Sequence, residues 1–143
     1  MGIEVSDEVY AEISLKRGQS IFGLATERGA SDEEILALRA RRDARYMELI
    51  EEGVKVLDGV EDCLEQLHGR LPMAIVTSSQ RVHFDAIHAR TGLLRFFDAV
   101  LASGDYDRHK PHPEPFLAGA ARLGIDPEAC VAIEDSPRGL AAA

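Results

Sequence analysis

Two acidic residues stand side by side near the end of the sequence, directly after a short apolar run. Glu134 and Asp135 follow residues 131–133, Val-Ala-Ile, and precede Ser136. Carboxylate oxygens are the ligands that Mg²⁺ takes in proteins, and the ion commonly combines one or two of them with a substrate phosphate. Alternatively, both acids are solvated loop residues that stabilise the start of the next helix. An isolated Glu-Asp pair favours this second interpretation, so other residues must decide.

Two further segments carry groups that could act on a phosphoryl group. Lys110 lies in RHKPHPEPF (108–116), and a lysine beside a strand end can neutralise a phosphoryl oxygen or an attacking carboxylate. Thr77, Ser78 and Ser79 end another apolar run, where hydroxyls and backbone amides at a helix start can hold an anion. Taken singly, Lys110 is an ordinary surface lysine and the hydroxyls form a helix N-cap.

The elements that must position these residues alternate between helices and short apolar strands from about residue 56 onward. Strands are predicted in MAIVTSS, FFDAVLASGD and CVAIEDS, with helices between them. This order is typical of the α/β class, with a Rossmann-like parallel sheet covered by helices on both faces. Ligands bind beyond the carboxyl ends of such strands, so we expect the polar strand ends to meet at one edge. They are residues 77–79, 103–105 and 134–136.

The first 55 residues are charged and predicted to be helical, without a strand. Ser31 and Glu34 have the spacing of a capping box, and Gly53 is the predicted end of that helix. An earlier helix is predicted after Ser6, and SLKRGQS (14–20) is predicted to interrupt the helices. The sequence therefore divides into a helical part, 1–55, and an α/β part, 56–143.

The amino-acid composition limits the classes of binding partner that are expected for this protein. The net charge of −9 argues against nucleic acid, which is bound by clustered Lys and Arg. Cys63 and Cys130 belong to no Cys-x-x-Cys or Cys/His cluster, which argues against a disulfide framework or structural zinc and fits the reducing cytoplasm. No apolar run approaches the roughly 20 residues that span a membrane, so a membrane partner is not expected. The sequence leaves the oligomeric state open.

The order and spacing of the three polar segments carry more information than any one of them. After Thr-Ser-Ser come about thirty residues to Lys-Pro and then about twenty-four to Ile-Glu-Asp-Ser-x-x-Gly. This constellation resembles the haloacid dehalogenase-like hydrolases, in the subgroup with a helical cap inserted after the first core strand. MAIVTSS resembles the family's second motif, KPHPEPF the third and VAIEDSPRGL the fourth. Residues 1–55 resemble the cap, and LDGVEDCLEQLHGR resembles the return into the core.

The resemblance implies a role for each matching residue. Thr77, with the amide after it, would hold the transferring phosphoryl group, and Lys110 would steady its charge and the nucleophile. Asp135 would ligate Mg²⁺, with Glu134 as a direct or water-mediated partner. The implied activity is a Mg²⁺-dependent phosphoric monoester hydrolase that forms an aspartyl-phosphate and acts on a small phosphorylated metabolite.

Substrate choice would fall to residues at the rim of the implied site. Ser78, Ser79 and Gln80 follow the second motif, and Arg17 lies in the cap loop 16–19. Closure of the cap over the core would exclude water and complete the site.

The family's nucleophile is an aspartate in an Asp-x-Asp-Gly motif that precedes the cap, and the sequence contains no such motif there. We therefore expect the nucleophile to lie outside this chain, which would be a fragment truncated at both ends of its core. Asp105 and Asp107 have the Asp-x-Asp spacing but stand just upstream of the third motif. Asp58-Gly59 copies part of the motif but occupies the return into the core. Neither is expected to be the nucleophile.

Two other functions stay open from the sequence. A sugar-phosphate mutase of the same subgroup would keep the same core residues and differ mainly in its cap contacts. A catalytically inactive, truncated copy would also keep them if the truncation were recent.

Overall fold

The computed structural model describes residues 4–143, and its first part is helical. Helix α1 (Asp7–Tyr10) begins at Ser6, whose Oγ accepts a hydrogen bond from the Val9 amide. It continues into a π-helical turn, Ala11–Lys16. The predicted interruption at 14–20 therefore starts later than expected. The chain turns instead near Gly18, whose φ of +66° lies in the left-handed region that ends helices.

Helices α2 (Gly23–Glu27) and α3 (Asp32–Glu52) pack together in the rest of this part. The predicted capping box is confirmed, because Glu34 N donates to Ser31 Oγ at 3.2 Å and Ser31 N donates to Glu34 Oε2 at 2.8 Å. The predicted end at Gly53 is confirmed as well. Local backbone demands at both ends thus set the length of α3.

The second part has the predicted α/β character, with two strands in parallel. Strand β1 (Ala74–Gln80) pairs with β2 (Ala99–Ser103) so that Ala74 lies opposite Ala99 and Val76 opposite Leu101. Helices α5 (Arg81–Thr91) and α6 (Glu114–Leu123) both pack against the two strands, and the core centres on β2, where Leu101 and Ala102 are buried. Short 3₁₀ turns occupy Leu93–Phe96 and Pro127–Ala129. The elements are α4 (Val60–Leu67), β1 (Ala74–Gln80), α5 (Arg81–Thr91), β2 (Ala99–Ser103), α6 (Glu114–Leu123) and α7 (Pro137–Ala142).

The structure contradicts the third predicted strand, in CVAIEDS (130–136). Residues 130–135 pair with no strand within 4–143, and the exposed fractions of Val131 and Ile133 are 89% and 91%. An apolar run marks a segment that can join a sheet, but a strand exists only where a neighbour supplies the ladder of hydrogen bonds. Neither β1 nor β2 lies beside this segment, so the two apolar side chains face solvent.

The helical and α/β parts touch at two places. Helix α3 meets α5 where the Tyr46 and His83 rings stack edge to face with centroids 4.9 Å apart. The π-helical turn meets α7. No helix within residues 4–143 is long and apolar enough to cross a membrane. The division of the chain at residue 55 stays a prediction.

Candidate functional site

A buried ion pair joins two of the predicted site residues. Lys110 is only 8% exposed, and its Nζ donates to Glu134 Oε2 at 2.6 Å. The same Nζ donates to the Val76 carbonyl of β1 at 3.1 Å and stands 4.2 Å from the centroid of the Phe116 ring. The cation is therefore fixed between β1 and the segment after residue 130, although 24 residues separate it from its carboxylate partner.

The other oxygen of Glu134 is held from its own loop. Oε1 accepts hydrogen bonds from Ser136 Oγ at 2.9 Å, from Ser136 N at 3.2 Å and from Asp135 N at 3.3 Å. Burial alone would raise the pKa of Glu134, but the hydrogen bonds from Lys110 and Ser136 outweigh it and lower this pKa to about 2. Glu134 is therefore an anion at neutral pH, fixed at both oxygens.

A glycine makes room for this carboxylate. A Cβ added to Gly139, in α7, would overlap the side-chain carbons and Oε1 of Glu134. The glycine of Glu-Asp-Ser-x-x-Gly thus has a packing reason that does not depend on catalysis: only a residue without a side chain lets α7 approach Glu134 so closely.

The hydroxyl segment lies at the carboxyl end of β1. Thr77 is fixed through its backbone, since Tyr106 OH donates to the Thr77 carbonyl at 2.8 Å, and Ser79 N donates to Thr77 Oγ1 at 3.2 Å. The interpretation of these hydroxyls as a helix N-cap is wrong, because the N-cap residue of α5 is Gln80 and no side chain caps it. A hydroxyl does cap the next helix, α7, since Gly139 N donates to Ser136 Oγ at 3.0 Å.

The hydroxyl segment of β1, Lys110 and the Glu134 loop line one cleft of about 520 Å³. Six of the predicted site residues meet there although they come from three separate segments. The arrangement places hydroxyls, a fixed cation and carboxylates around a space large enough for a small phosphorylated molecule. The predicted residues in the lining are Thr77, Ser78, Ser79, Lys110, Glu134 and Asp135.

The two predicted metal ligands differ in their surroundings. The Asp135 side chain is exposed and makes no hydrogen bond or ion pair with residues 4–143, whereas both Glu134 oxygens are engaged. Mg²⁺ is commonly held by one or two carboxylates while keeping several waters, so the donor set at Asp135 fits this ion. Within the described chain no group of three or more His, Cys, Asp or Glu side chains converges on a metal position.

Two predicted rim residues do not line the cleft. Arg17 Nε donates to Glu12 Oε1 at 3.0 Å, so the guanidinium pairs within the helical part. Gln80 ends β1 opposite Ser103. Four lining residues were not among the predicted ones: Val76 and Ser136, which adjoin predicted residues, Leu15, which brings the helical part into the cleft, and Arg138, which stands inside the quoted VAIEDSPRGL segment. That motif was the only available signal for Arg138.

The Asp-x-Asp pair at 105 and 107 lies outside the cleft, and the Asp105 carboxylate is held by other contacts. Asp105 Oδ2 accepts from the Ala102 amide at 2.8 Å and pairs with Arg81. The hydrogen bond from the Ala102 amide is the main cause that lowers the pKa of Asp105. This carboxylate therefore stabilises the turn after β2, and neither Asp105 nor Asp107 lines the cleft.

Comparison with known proteins gives a family match over almost the whole chain. Residues 4–143 match the model described as hydrolase, haloacid dehalogenase-like hydrolase. The fructose-1-phosphate phosphatase YqaB of Escherichia coli K12 is 42% identical over 93 residues, which cover 62% of this chain and 50% of that protein. A phosphoglycolate phosphatase of Salmonella paratyphi A is 32% identical over 114 residues, covering 79% of this chain and 45% of that one. The chain thus spans about half the length of these relatives.

Among solved structures, the β-phosphoglucomutase of Clostridium difficile superposes with a TM-score of 0.79 at 25% identity. The superposition covers 99% of this chain and 66% of that one. The predicted α/β, Rossmann-like fold class with an added helical part is consistent with this neighbour and is confirmed at the level of the fold.

Proposed function

Since this chain belongs to the haloacid dehalogenase-like hydrolases, we propose that it forms the phosphoryl-binding part of a phosphoric monoester hydrolase. The observation that carries the proposal is the buried Lys110, held by Glu134 beside the hydroxyls of β1 in one cleft. A fixed cation next to hydroxyl and amide donors can stabilise the charge of a transferring phosphoryl group. The phosphatases among the relatives make a small phosphorylated metabolite the expected substrate, with fructose 1-phosphate and phosphoglycolate as candidates.

Each residue has a role that its contacts support. Thr77 Oγ1 and the amide of Ser78 would hold the phosphoryl oxygens, because the Tyr106 hydroxyl keeps the end of β1 in place. Lys110 Nζ would face the same oxygens and the nucleophile. Glu134 orients Lys110 through their ion pair, while Ser78 and Ser79 border the substrate.

Asp135 is the proposed ligand for Mg²⁺, with Glu134 as its direct or water-mediated partner. When bound, the ion would neutralise negative charge on the phosphoryl oxygens. The open Asp135 carboxylate at the cleft supports this assignment.

We propose that the nucleophile is an aspartate of the whole protein outside these residues. Its carboxylate oxygen would bond to phosphorus while the ester P–O bond breaks and the leaving alcohol takes a proton. Water would then attack the aspartyl-phosphate and release inorganic phosphate. The exposed Val131 and Ile133 support a further strand beside them, because two large apolar side chains at alternate positions remain in solvent that a neighbouring strand would cover.

Residues 1–55 would act as the cap over this site. Leu15 already reaches the cleft, and movement of the adjoining loop 16–19 would bring Arg17 within reach of a substrate, which Gln80 would approach from the end of β1.

A mutase is the second candidate, favoured by the structural likeness to β-phosphoglucomutase. In that case the phosphoryl group would return to the sugar at another hydroxyl rather than pass to water. An inactive copy is the third.

The test compares this chain with an extended protein, which adds the upstream segment through the proposed first strand. Each is given a sugar phosphate with Mg²⁺, and inorganic phosphate and isomerised sugar phosphate are measured. Inorganic phosphate from the extended protein alone supports the hydrolase, and isomerisation without phosphate supports the mutase. Turnover by neither form, with both folded, would contradict the proposal and favour the inactive copy.

A further inference from the structure

Among the residues that line the cleft, Arg138 has a buried polar atom without a hydrogen-bond partner. Its Nε is buried and has no hydrogen-bond partner, and no other buried side-chain nitrogen or oxygen in residues 4–143 shares this condition. Leaving a buried donor without a partner is unfavourable, and more so when the group is charged. A ligand outside the polypeptide could supply the missing acceptor.

The charge of Arg138 is unpaired as well. Lys16 and Arg17, which lie in the cap loop 16–19, both form ion pairs with Glu12, at 3.1 and 3.0 Å. Arg138 forms no ion pair with any of the described residues, although it lines the cleft with Asp135 and Glu134. The guanidinium is thus the cation of the cleft that is left without a carboxylate.

The position of the guanidinium separates it from the phosphoryl group. Its Cδ and Cζ stand 2.9 and 3.0 Å from where a Cβ of Gly18 would be, so it packs on the loop of the helical part. Gly18 permits this contact twice, by its missing side chain and by its φ of +66°. Lys110 and Thr77 belong to the strand side, whereas Arg138 lies toward the loop that would cover the rest of the substrate.

We propose that Arg138 determines specificity by binding a carboxylate on the leaving-group part of the substrate. The inference rests on the proposed phosphatase function and deepens it: the substrate is a small phosphomonoester with a second anionic group. A guanidinium presents donors in a planar fork that matches a carboxylate, which a neutral sugar hydroxyl does not. Among the two candidate substrates, this selects a phosphoglycolate-like acid over a neutral sugar phosphate.

The experiment uses the extended protein and two substrates with the same two-carbon skeleton, 2-phosphoglycolate and ethyl phosphate, of which only the first carries a carboxylate. We expect the ratio of their kcat/KM values to favour the acid and to fall about 10- to 100-fold in Arg138→Met, as expected for loss of a hydrogen bond to a charged group. Arg138→Lys keeps the charge without the fork and should give an intermediate ratio. Arg70→Met, at an exposed arginine outside the cleft, is the matched control and should keep the wild-type ratio.

The inference is overturned if the wild-type protein shows no preference for the acid, or if Arg138→Met lowers both kcat/KM values equally. The second result would give Arg138 a purely structural role against Gly18. If neither substrate is turned over, the proposed function fails, and calorimetric binding of 2-phosphoglycolate decides on Arg138 alone. Binding weakened at least tenfold by Arg138→Met, and not by Arg70→Met, supports the carboxylate site, and unchanged binding refutes it. Should the Met variant not fold, the comparison is made with Arg138→Lys.

Discussion

Replacing Glu134 with glutamine tests the energetic basis of the site. The pKa of Glu134 is lowered from 4.5 to about 2, because its charged form accepts hydrogen bonds from Lys110 and Ser136. A difference of this size corresponds to about 3 kcal/mol of unfolding free energy at neutral pH. In Glu134→Gln the amide oxygen can accept a hydrogen bond from Lys110 but carries no charge, so the buried lysine loses its ion-pair partner and keeps only neutral ones such as the Val76 carbonyl. We expect the variant to lose about 3 kcal/mol, which lowers the Tm by roughly 10 °C in a chain of this size.

The direction in which the unfolding free energy changes with pH distinguishes loss of the Glu134 charge from a general loss of packing. Because the pKa of Glu134 is lower in the folded state, its contribution is complete above pH 4.5 and disappears as the pH falls toward 2. The difference between wild type and Glu134→Gln should therefore be full at pH 7 and much smaller near pH 3.

The assay is urea unfolding followed by circular dichroism at both pH values. Arg45→Met is the matched control, since it removes a pair with Glu48 of 3.0 Å whose side chains are 58% and 62% exposed, and it should cost less than about 1 kcal/mol. The double variant Lys110→Met/Glu134→Gln should be less destabilised than the sum of the single variants. A cost below about 1 kcal/mol for Glu134→Gln, or one that is the same at pH 7 and pH 3, would refute the reasoning.

Other predictions concern packing and the rejected nucleophile. Gly139→Ala should destabilise the protein by about 1–3 kcal/mol, because its Cβ displaces the Glu134 carboxylate from Lys110. Gly23→Ala meets open space and should change the unfolding free energy by less than about 1 kcal/mol, so equal effects of the two changes in urea unfolding would contradict the packing argument. Asp105→Asn in the extended protein should lower the Tm by weakening the turn held by Ala102 and Arg81, while phosphate release continues. Loss of turnover in folded Asp105→Asn would instead make Asp105 the nucleophile.

The sequence predicted helix ends correctly where residues close together in the chain determine them. The Ser31 and Glu34 capping box and the closing Gly53 of α3 depend on a few neighbouring residues, and each is found in the structure. Residues 77–79 and 134–136 meet in the cleft, as expected of polar segments at one edge of a parallel sheet, whereas residues 103–105 do not line it.

What the sequence could not show depends on partners distant in the chain. Tyr106 fixes Thr77 from 29 residues away, and Arg138 packs on Gly18 across almost the whole chain. The strand predicted at 130–136 failed for the same reason, since its apolar pattern cannot say whether a neighbour lies beside it. Likewise, adjacent carboxylates at 134 and 135 look equivalent in sequence, but one is bound to Lys110 and the other is open.

The most direct test of the central claim is the effect of Lys110→Met on Mg²⁺-dependent phosphate release by the extended protein. If Lys110 stabilises the transferring phosphoryl group, kcat/KM for a generic phosphomonoester should fall at least about 100-fold, beyond what lost stability explains. Arg45→Met should keep the wild-type value, and thermal melts of both variants should show them folded at the assay temperature. A folded Lys110→Met protein with turnover within a few fold of wild type would contradict the account, because the buried lysine would then serve only to hold Glu134 in place.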